Sequence, residues 1–181
     1  MNKVNVVIEI PKDSKIKYEY DRRTKQIVVD RILYGSSSYP LNYGFIREAL
    51  DWDGDELDAL IISDQTFIPG CVVPTRIIGA MEMIDGGETD TKLITVIDCD
   101  PRYKHINKLE DLSKHTLLEI RDFFENYKNL QDKTVEIKGY NSIEWAMQEY
   151  NECVELMNKY KDLPKADFVK KMMIEHPEKY K

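Results

Sequence analysis

The chain has 181 residues, 26 basic and 33 acidic, a formal net charge of −7 and an apolar fraction of 42%. That length suits one domain with a sizeable core, and the acidic balance gives no footprint for nucleic acid or an anionic membrane surface. The longest unbroken aliphatic run, Ala59-Leu60-Ile61-Ile62, falls far short of the roughly 20 residues of a membrane span.

In chain order, residues 4–10 are β-rich and stop at Pro11. Residues 16–20 and 26–31 flank Asp21-Arg22-Arg23-Thr24-Lys25, which predicts a hairpin with a longer loop. Residues 57–62, 72–80 and 93–97 are further short strand candidates, with Pro74 marking an edge or a bulge. Such a series predicts a small barrel or sandwich. Past residue 104 the period changes. Leu117, Ile120, Phe124 and Tyr127 recur at three- and four-residue steps, one helix face, with Ser113 as N-cap. A strand over 134–138 stops at Gly139. Ile143, Ala146, Tyr150, Cys153 and Met157 mark a second helix, with Asn141 and Glu144 spaced as a capping box and Pro164 beyond its end. The tail 165–181 is Lys-rich with an apolar patch at Phe168, Val169, Met172 and Met173, which predicts a short helix docked on the body or on a neighbour. No repeat or internal boundary interrupts the chain, so 1–181 reads as a single domain. Cys71, Cys99 and Cys153 are odd in number and form no CxxC pair, and Asn2-Lys3-Val4 opens no leader pattern, so a reducing cytoplasm is the expectation.

Five of the eight residues in Asp51-Trp52-Asp53-Gly54-Asp55-Glu56-Leu57-Asp58 are carboxylates. Asp53, Asp55 and Asp58 form D-G-D-x-x-D just before a β-rich run, and Gly54 permits the tight turn that lets them converge. Converging carboxylates suit a hard divalent cation; an acidic surface loop is the simpler alternative. An EF-hand starting at Asp51 fails, because Glu56 and Ile62 stand where Gly and Glu are needed. Asp85, Glu88 and Asp90 form a second acidic group around the Gly86-Gly87 turn, and Lys92 shares a strand face with Asp90. Lys17 and Glu19 alternate on one strand face; Arg31, Tyr39, Tyr43, Tyr127 and Lys128 add donors of the kind that bind phosphate oxygens. Taken singly, each is an ordinary solvated cation or core-edge tyrosine. His105, His115 and His176 fit no metal spacing and read as surface residues. P-loop, Rossmann and nucleophile-elbow motifs are all missing from the sequence.

The ordered landmarks resemble the family I soluble inorganic pyrophosphatases. They are Val7-Ile8-Glu9-Ile10-Pro11, Lys17-Tyr18-Glu19, Val29-Asp30-Arg31, Tyr39-Pro40-x-Asn42-Tyr43-Gly44 and the D-G-D-x-x-D signature at 53–58. Asp85, Asp90 and Lys92 follow, then Phe123-Phe124-Glu125-x-Tyr127-Lys128. The resemblance implies an α+β fold, an OB-like five-stranded β-barrel flanked by helices, in a homo-oligomer, usually a hexamer. It implies a cytoplasmic enzyme that hydrolyses pyrophosphate to two phosphates with several Mg²⁺ ions, Mn²⁺ being a substitute. By the same resemblance Asp53, Asp58, Asp85 and Asp90 hold metal, with Glu9 and Glu19 at a further metal position. Asp55 matches the general base. Lys17, Arg31, Tyr43, Lys92, Tyr127 and Lys128 match the phosphate-binding set, and Tyr39 a tyrosine beside it. Glu56 stands where many relatives have Pro, which the pattern allows. Residues 161–181 extend beyond the shorter bacterial pattern. The chemistry agrees with these residue types: metals and cations offset the charge of pyrophosphate, and two metals lower the pKa of a shared water. Two other readings stand beside this one: a metal-dependent phosphohydrolase of organic phosphate esters or nucleotides, and a non-enzymatic calcium- or oligonucleotide-binding barrel.

Overall fold

The computed structural model describes residues 2–180. Five strands close on themselves: β1 (Lys3–Ile10), β4 (Asn42–Leu50), β5 (Glu56–Ile62), β8 (Lys92–Ile97) and β6 (Val72–Asp85), which pairs back onto β1. All neighbours are antiparallel except β5 and β8. This is the five-stranded closed barrel expected, in one domain with three helices. The predicted hairpin forms as β2 (Ile16–Asp21) and β3 (Gln26–Ile32), a separate two-stranded sheet. A short β7 (Glu88–Thr89) and β9 (Val135–Asn141) both pair with the long β6.

Strand alternation sorts the core. Leu57, Ala59 and Ile61 of β5 join Val6, Ile8, Leu93 and Ala80 in one buried cluster, against Ala146 and Cys153 of α2 (Ile143–Tyr160). Leu60 and Ile62 point to the opposite face with Ile94, Val96 and Met81, under Ile120, Phe123 and Phe124 of α1 (Lys114–Asn126). Period two places Asp58 and Lys92 on that second face. At about 25 cal/mol per Å² of apolar area, these two clusters supply the main favourable contribution to folding. A smaller cluster joins Leu50 and Trp52 to Phe168 and Met172 of α3 (Lys165–Glu175).

Several elements differ from the sequence expectation. Beside the two-residue β7, strand β4 is the one the sequence reading did not identify. Its residues are buried on both faces through Ile46, with Arg47 and Glu48 exposed, so polar–apolar alternation is absent. Gly44 lets β4 lie against β1: a Cβ there would stand 2.0 Å from the carbonyl oxygen of Val7. Pro74 opposes Asn5 of β1 and lies one residue before β8 pairing starts at Thr75, so the ladder runs along one side of it only. Strand β6 runs to Asp85 rather than ending at Ala80, because β9 pairs with its far half. Strand β9 continues through Gly139 by a register shift opposite Glu82 and Met83. Ser113 caps α1 as expected, its side chain accepting from the His115 N–H. The cap of α2 is Ser142, which accepts from the Trp145 N–H, not Asn141, whose amide reaches Glu82 instead. His105 and His115 are exposed, but His176 is half-buried with its ring 5.1 Å from that of Trp52. No helix among the described residues is long and apolar enough to cross a membrane.

Candidate active site

Asp53 and Asp55 sit on a turn whose own hydrogen bonds fix it. The Asp51 N–H donates to the Asp55 carbonyl (2.7 Å), and the Gly54 N–H donates to that of Asp51 (3.0 Å). Gly54 takes φ +86°, a region a side chain would strain. The Asp55 N–H donates to Asp53 Oδ1 at 2.9 Å, an Asx turn that aims both carboxylates outward from one bend. The chain then enters β5, which carries Asp58 to the α1-facing side of the sheet.

Lys92 opens β8 directly beside Asp58 in the parallel register. Its side chain is 3% exposed, and its ammonium lies 2.5 Å from Asp58 Oδ2 while also contacting Asp90. The Tyr43 hydroxyl donates to the same Asp58 oxygen. Burial by itself would lower the Lys92 pKa; the attraction of Asp58 and Asp90 reverses that and holds it charged. Asp85, at the end of β6, receives the ammonium of Lys128, just past the C-cap of α1. On the hairpin, Lys17 contacts Glu19 and approaches Asp30 at 3.5 Å, and Arg31 also contacts Asp30. Glu9, near the end of β1, accepts from the Tyr20 N–H at 2.7 Å. Tyr39, Tyr43 and Tyr127 stack with Phe123 and Phe124 into an aromatic floor, with ring centroids 4.7 Å apart for Tyr39 and Phe123. Burial raises the hydroxyl pKa of all three tyrosines, so they act as neutral donors.

Every residue nominated from the sequence therefore lines one open cavity of about 620 Å³: the carboxylates, the cations and the tyrosines alike. Its electrostatics are those of an underneutralised acid cluster. Burial, then the charge of Asp58, raises the Glu9 carboxyl to about 8. Burial, then Asp90 and Asp55, raises Asp53 to about 7. Burial likewise pushes Asp58 above the ordinary range despite Lys92. Oxygen-only donors that repel one another fit hard divalent cations such as Mg²⁺ or Mn²⁺. The Nε of Arg31 is buried with no hydrogen-bond partner, a donor left for an anion.

The inorganic pyrophosphatase family model matches residues 6–158. The inorganic pyrophosphatase of Malacoplasma penetrans is 70% identical, the match covering 99% of each chain. That of Mycoplasma pneumoniae is 63% identical over 98% of this chain and 96% of its own. The chain belongs to the inorganic pyrophosphatase family. Solved structures of the family share the fold. The Helicobacter pylori inorganic pyrophosphatase superposes with a TM-score of 0.84 at 42% identity, covering 87% of this chain and 94% of its own. The Thermus thermophilus enzyme gives 0.83 at 39% identity, covering 85% and 90%.

Four cations in the cavity of this family member were not nominated from sequence: Arg22, Arg23, Lys133 and Lys165. Arg22 grips Glu56 with two bonds, Nε to Oε1 at 2.7 Å and a terminal nitrogen to Oε2 at 2.8 Å. The only sequence signal for that pair was Glu56 itself, at a position where the resemblance allows Pro as well. Lys165 comes from the tail, distant in sequence, and only folding brings it to the site.

Proposed function

We propose that this chain hydrolyses inorganic pyrophosphate to two phosphates by attack of a water that Asp55 deprotonates, in a site loaded with Mg²⁺, or Mn²⁺ as a substitute. Hydrolysis of pyrophosphate is the activity of the family to which the chain belongs. One observation carries the residue assignment: a single cavity joins surplus carboxylates to a ring of cations and neutral hydroxyl donors. Asp53, Asp58, Asp85 and Asp90 hold the activating ions, with Glu9 and Glu19 at a further position. Bound there, divalent cations offset the charge of pyrophosphate and acidify the nucleophilic water.

The protein side does the rest. Asp55 is on the rim of the cavity, about half exposed, where its carboxylate meets bulk-derived water and takes its proton. Lys92, Arg31 and Lys17 neutralise the phosphoryl oxygens, and Lys128 the leaving phosphate. Tyr43, Tyr127 and Tyr39 donate without adding charge, since burial keeps their hydroxyls protonated.

The whole chain, 1–181, acts as one domain with 161–181 as a C-terminal extension. We infer a cytoplasmic homo-oligomer, a hexamer as the family resemblance implies. Free Cys71, Cys99 and Cys153 support a reducing compartment, and exposed Val29, Ile32, Tyr34 and Val72 support a partner surface. Light scattering of the purified protein tests the assembly. The activity test is phosphate release from pyrophosphate with and without millimolar Mg²⁺. Release only with Mg²⁺, and far slower release from nucleoside triphosphates, is the expected result; equal release from both substrates would move the assignment to a general phosphohydrolase.

A further inference from the structure

The C-terminal segment is fixed over the Asp53-Gly54-Asp55 turn. Phe168 and Met172 of α3 are buried beside Leu50 and Trp52. Beyond α3, Lys179 pairs with Glu149 at 2.8 Å, its carbonyl accepts from Thr89 Oγ1 at 2.5 Å, and the Tyr180 hydroxyl donates to the Trp52 carbonyl. The first turn of α3 touches the turn below it: a Cβ on Gly54 would lie 3.0 Å from Lys165 Cγ and 3.3 Å from Phe168 Cδ1. From that anchored position the Lys165 ammonium pairs with Asp55 Oδ2. Among the described residues no other cation is in salt-bridge contact with Asp55. The C-terminal residues of these contacts, Lys165 to Tyr180, lie past residue 158, where the family match ends.

We propose that Lys165 is a positioning residue for the Asp55 carboxylate, supplied to the catalytic site by the C-terminal extension. The inference rests on the reading of Asp55 as the proton acceptor. A half-exposed carboxylate rotates freely about its side-chain bonds. An ammonium on a docked helix tethers one oxygen and leaves Oδ1 to meet the water. The docking does not need the charge, because Phe168, Met172 and Tyr180 already hold the segment. Lys165 is therefore placed for Asp55 rather than for the fold.

The test compares wild type with Lys165→Met, Lys165→Arg, Asp55→Asn and the double variant Asp55→Asn/Lys165→Met. Steady-state phosphate release from Mg-pyrophosphate is measured beside a calorimetric Mg²⁺ titration without substrate. Methionine keeps the aliphatic stem over Gly54 and removes only the charge. For a partly exposed pair we expect kcat to fall about five-fold in Lys165→Met, with KM held within about two-fold. Arginine restores most of the loss. In the Asp55→Asn background the second substitution has no further effect. The Mg²⁺ affinity of Lys165→Met is unchanged or slightly tighter, since a positive charge near Asp53 has gone. An unchanged kcat overturns the proposal. So does a rise in KM at constant kcat, which would make Lys165 a substrate cation. An equal fold loss with and without Asp55 overturns it too, by making the role structural. Wild type that releases no phosphate would overturn the proposed function and this inference together, an outcome visible in that arm alone.

Discussion

Two buried acid–base clusters in this molecule look alike in composition and differ in what completes them. Under the tail, Asp51, Glu149 and Cys153 bring their ligand atoms within 4.8 Å of one another. Every one of those carboxylates is already served by protein. Asp51 Oδ1 accepts from the Trp52 N–H at 2.7 Å. Glu149 accepts from the Trp52 indole at 2.7 Å and from Lys179 at 2.8 Å. Burial pushes the Asp51 carboxyl well above the ordinary range, and the neighbouring carboxylates push the same way. In the candidate active-site cavity, Lys92 contacts Asp58 and Asp90 together, while Glu9 and Asp53 line the cavity with raised pKa values, each held by one backbone N–H and, among the described residues, in no salt bridge. The lesson is that proximity of carboxylates does not mark a cation site. What sets the second cluster apart is carboxylates that no cation of the protein meets.

The largest effect that sharpens this comparison is on turnover. Asp55→Asn is expected to slow phosphate release by about 10²-fold or more while Mg²⁺ binding measured by calorimetry persists. Retained turnover would take Asp55 out of the base role. Next comes a pair of charge removals, read by thermal melting. Lys92→Met leaves two buried carboxylates without their counter-ion, a loss of roughly 3–5 kcal/mol, and saturating Mg²⁺ should restore a large part of it. Lys179→Met strands Glu149 beside a second cavity of about 520 Å³, yet Mg²⁺ should restore less there, because Glu149 keeps the Trp52 indole as a donor. If Mg²⁺ rescued both variants equally, the distinction between the clusters would collapse.

A smaller effect follows from pH. The folded protein holds protons on Glu9 up to about pH 8 and on Asp53 up to about pH 7, whereas the unfolded chain releases them near 4.5 and 3.8. The folded state thus binds more protons across that window, so metal-free stability falls as pH rises from about 5 to about 8. We expect the metal-free melting temperature to drop by several degrees over that range, and saturating Mg²⁺, which favours the ionised carboxylates, to flatten the profile. A metal-free profile that rises with pH would contradict the surplus of buried acid. Smallest of all, Tyr180→Phe loses one hydrogen bond to the Trp52 carbonyl. About 1 kcal/mol of stability, or roughly 2–4 °C in Tm, should go with kcat nearly unchanged.

The membership of the cavity was legible through the family resemblance, because its landmarks occur in a fixed order along the chain. The two-residue spacing of Asp90 and Lys92 also made their shared side readable without coordinates. Elements whose burial is two-sided were not readable in that way. Strand β4 hides between two neighbours, so Tyr43 could be nominated for its chemistry but not assigned to a strand. The cap of α2 was misassigned by one residue, since Asn141 had a better partner in Glu82 that only pairing with β6 brings near.

The sequence by itself determined the local quantities: the strand and helix periods, the Gly54 turn, the carboxylate spacing and the donor types, all set within a few residues of one another. The tertiary structure alone decided which charges meet. Barrel closure brings β8 beside β5 and so seats Lys92 on Asp58, 34 residues apart. Docking of α3 brings Lys165 to Asp55 across 110 residues. Contacts of that separation depend on how apolar faces pack, and packing is a property of the whole chain rather than of any segment.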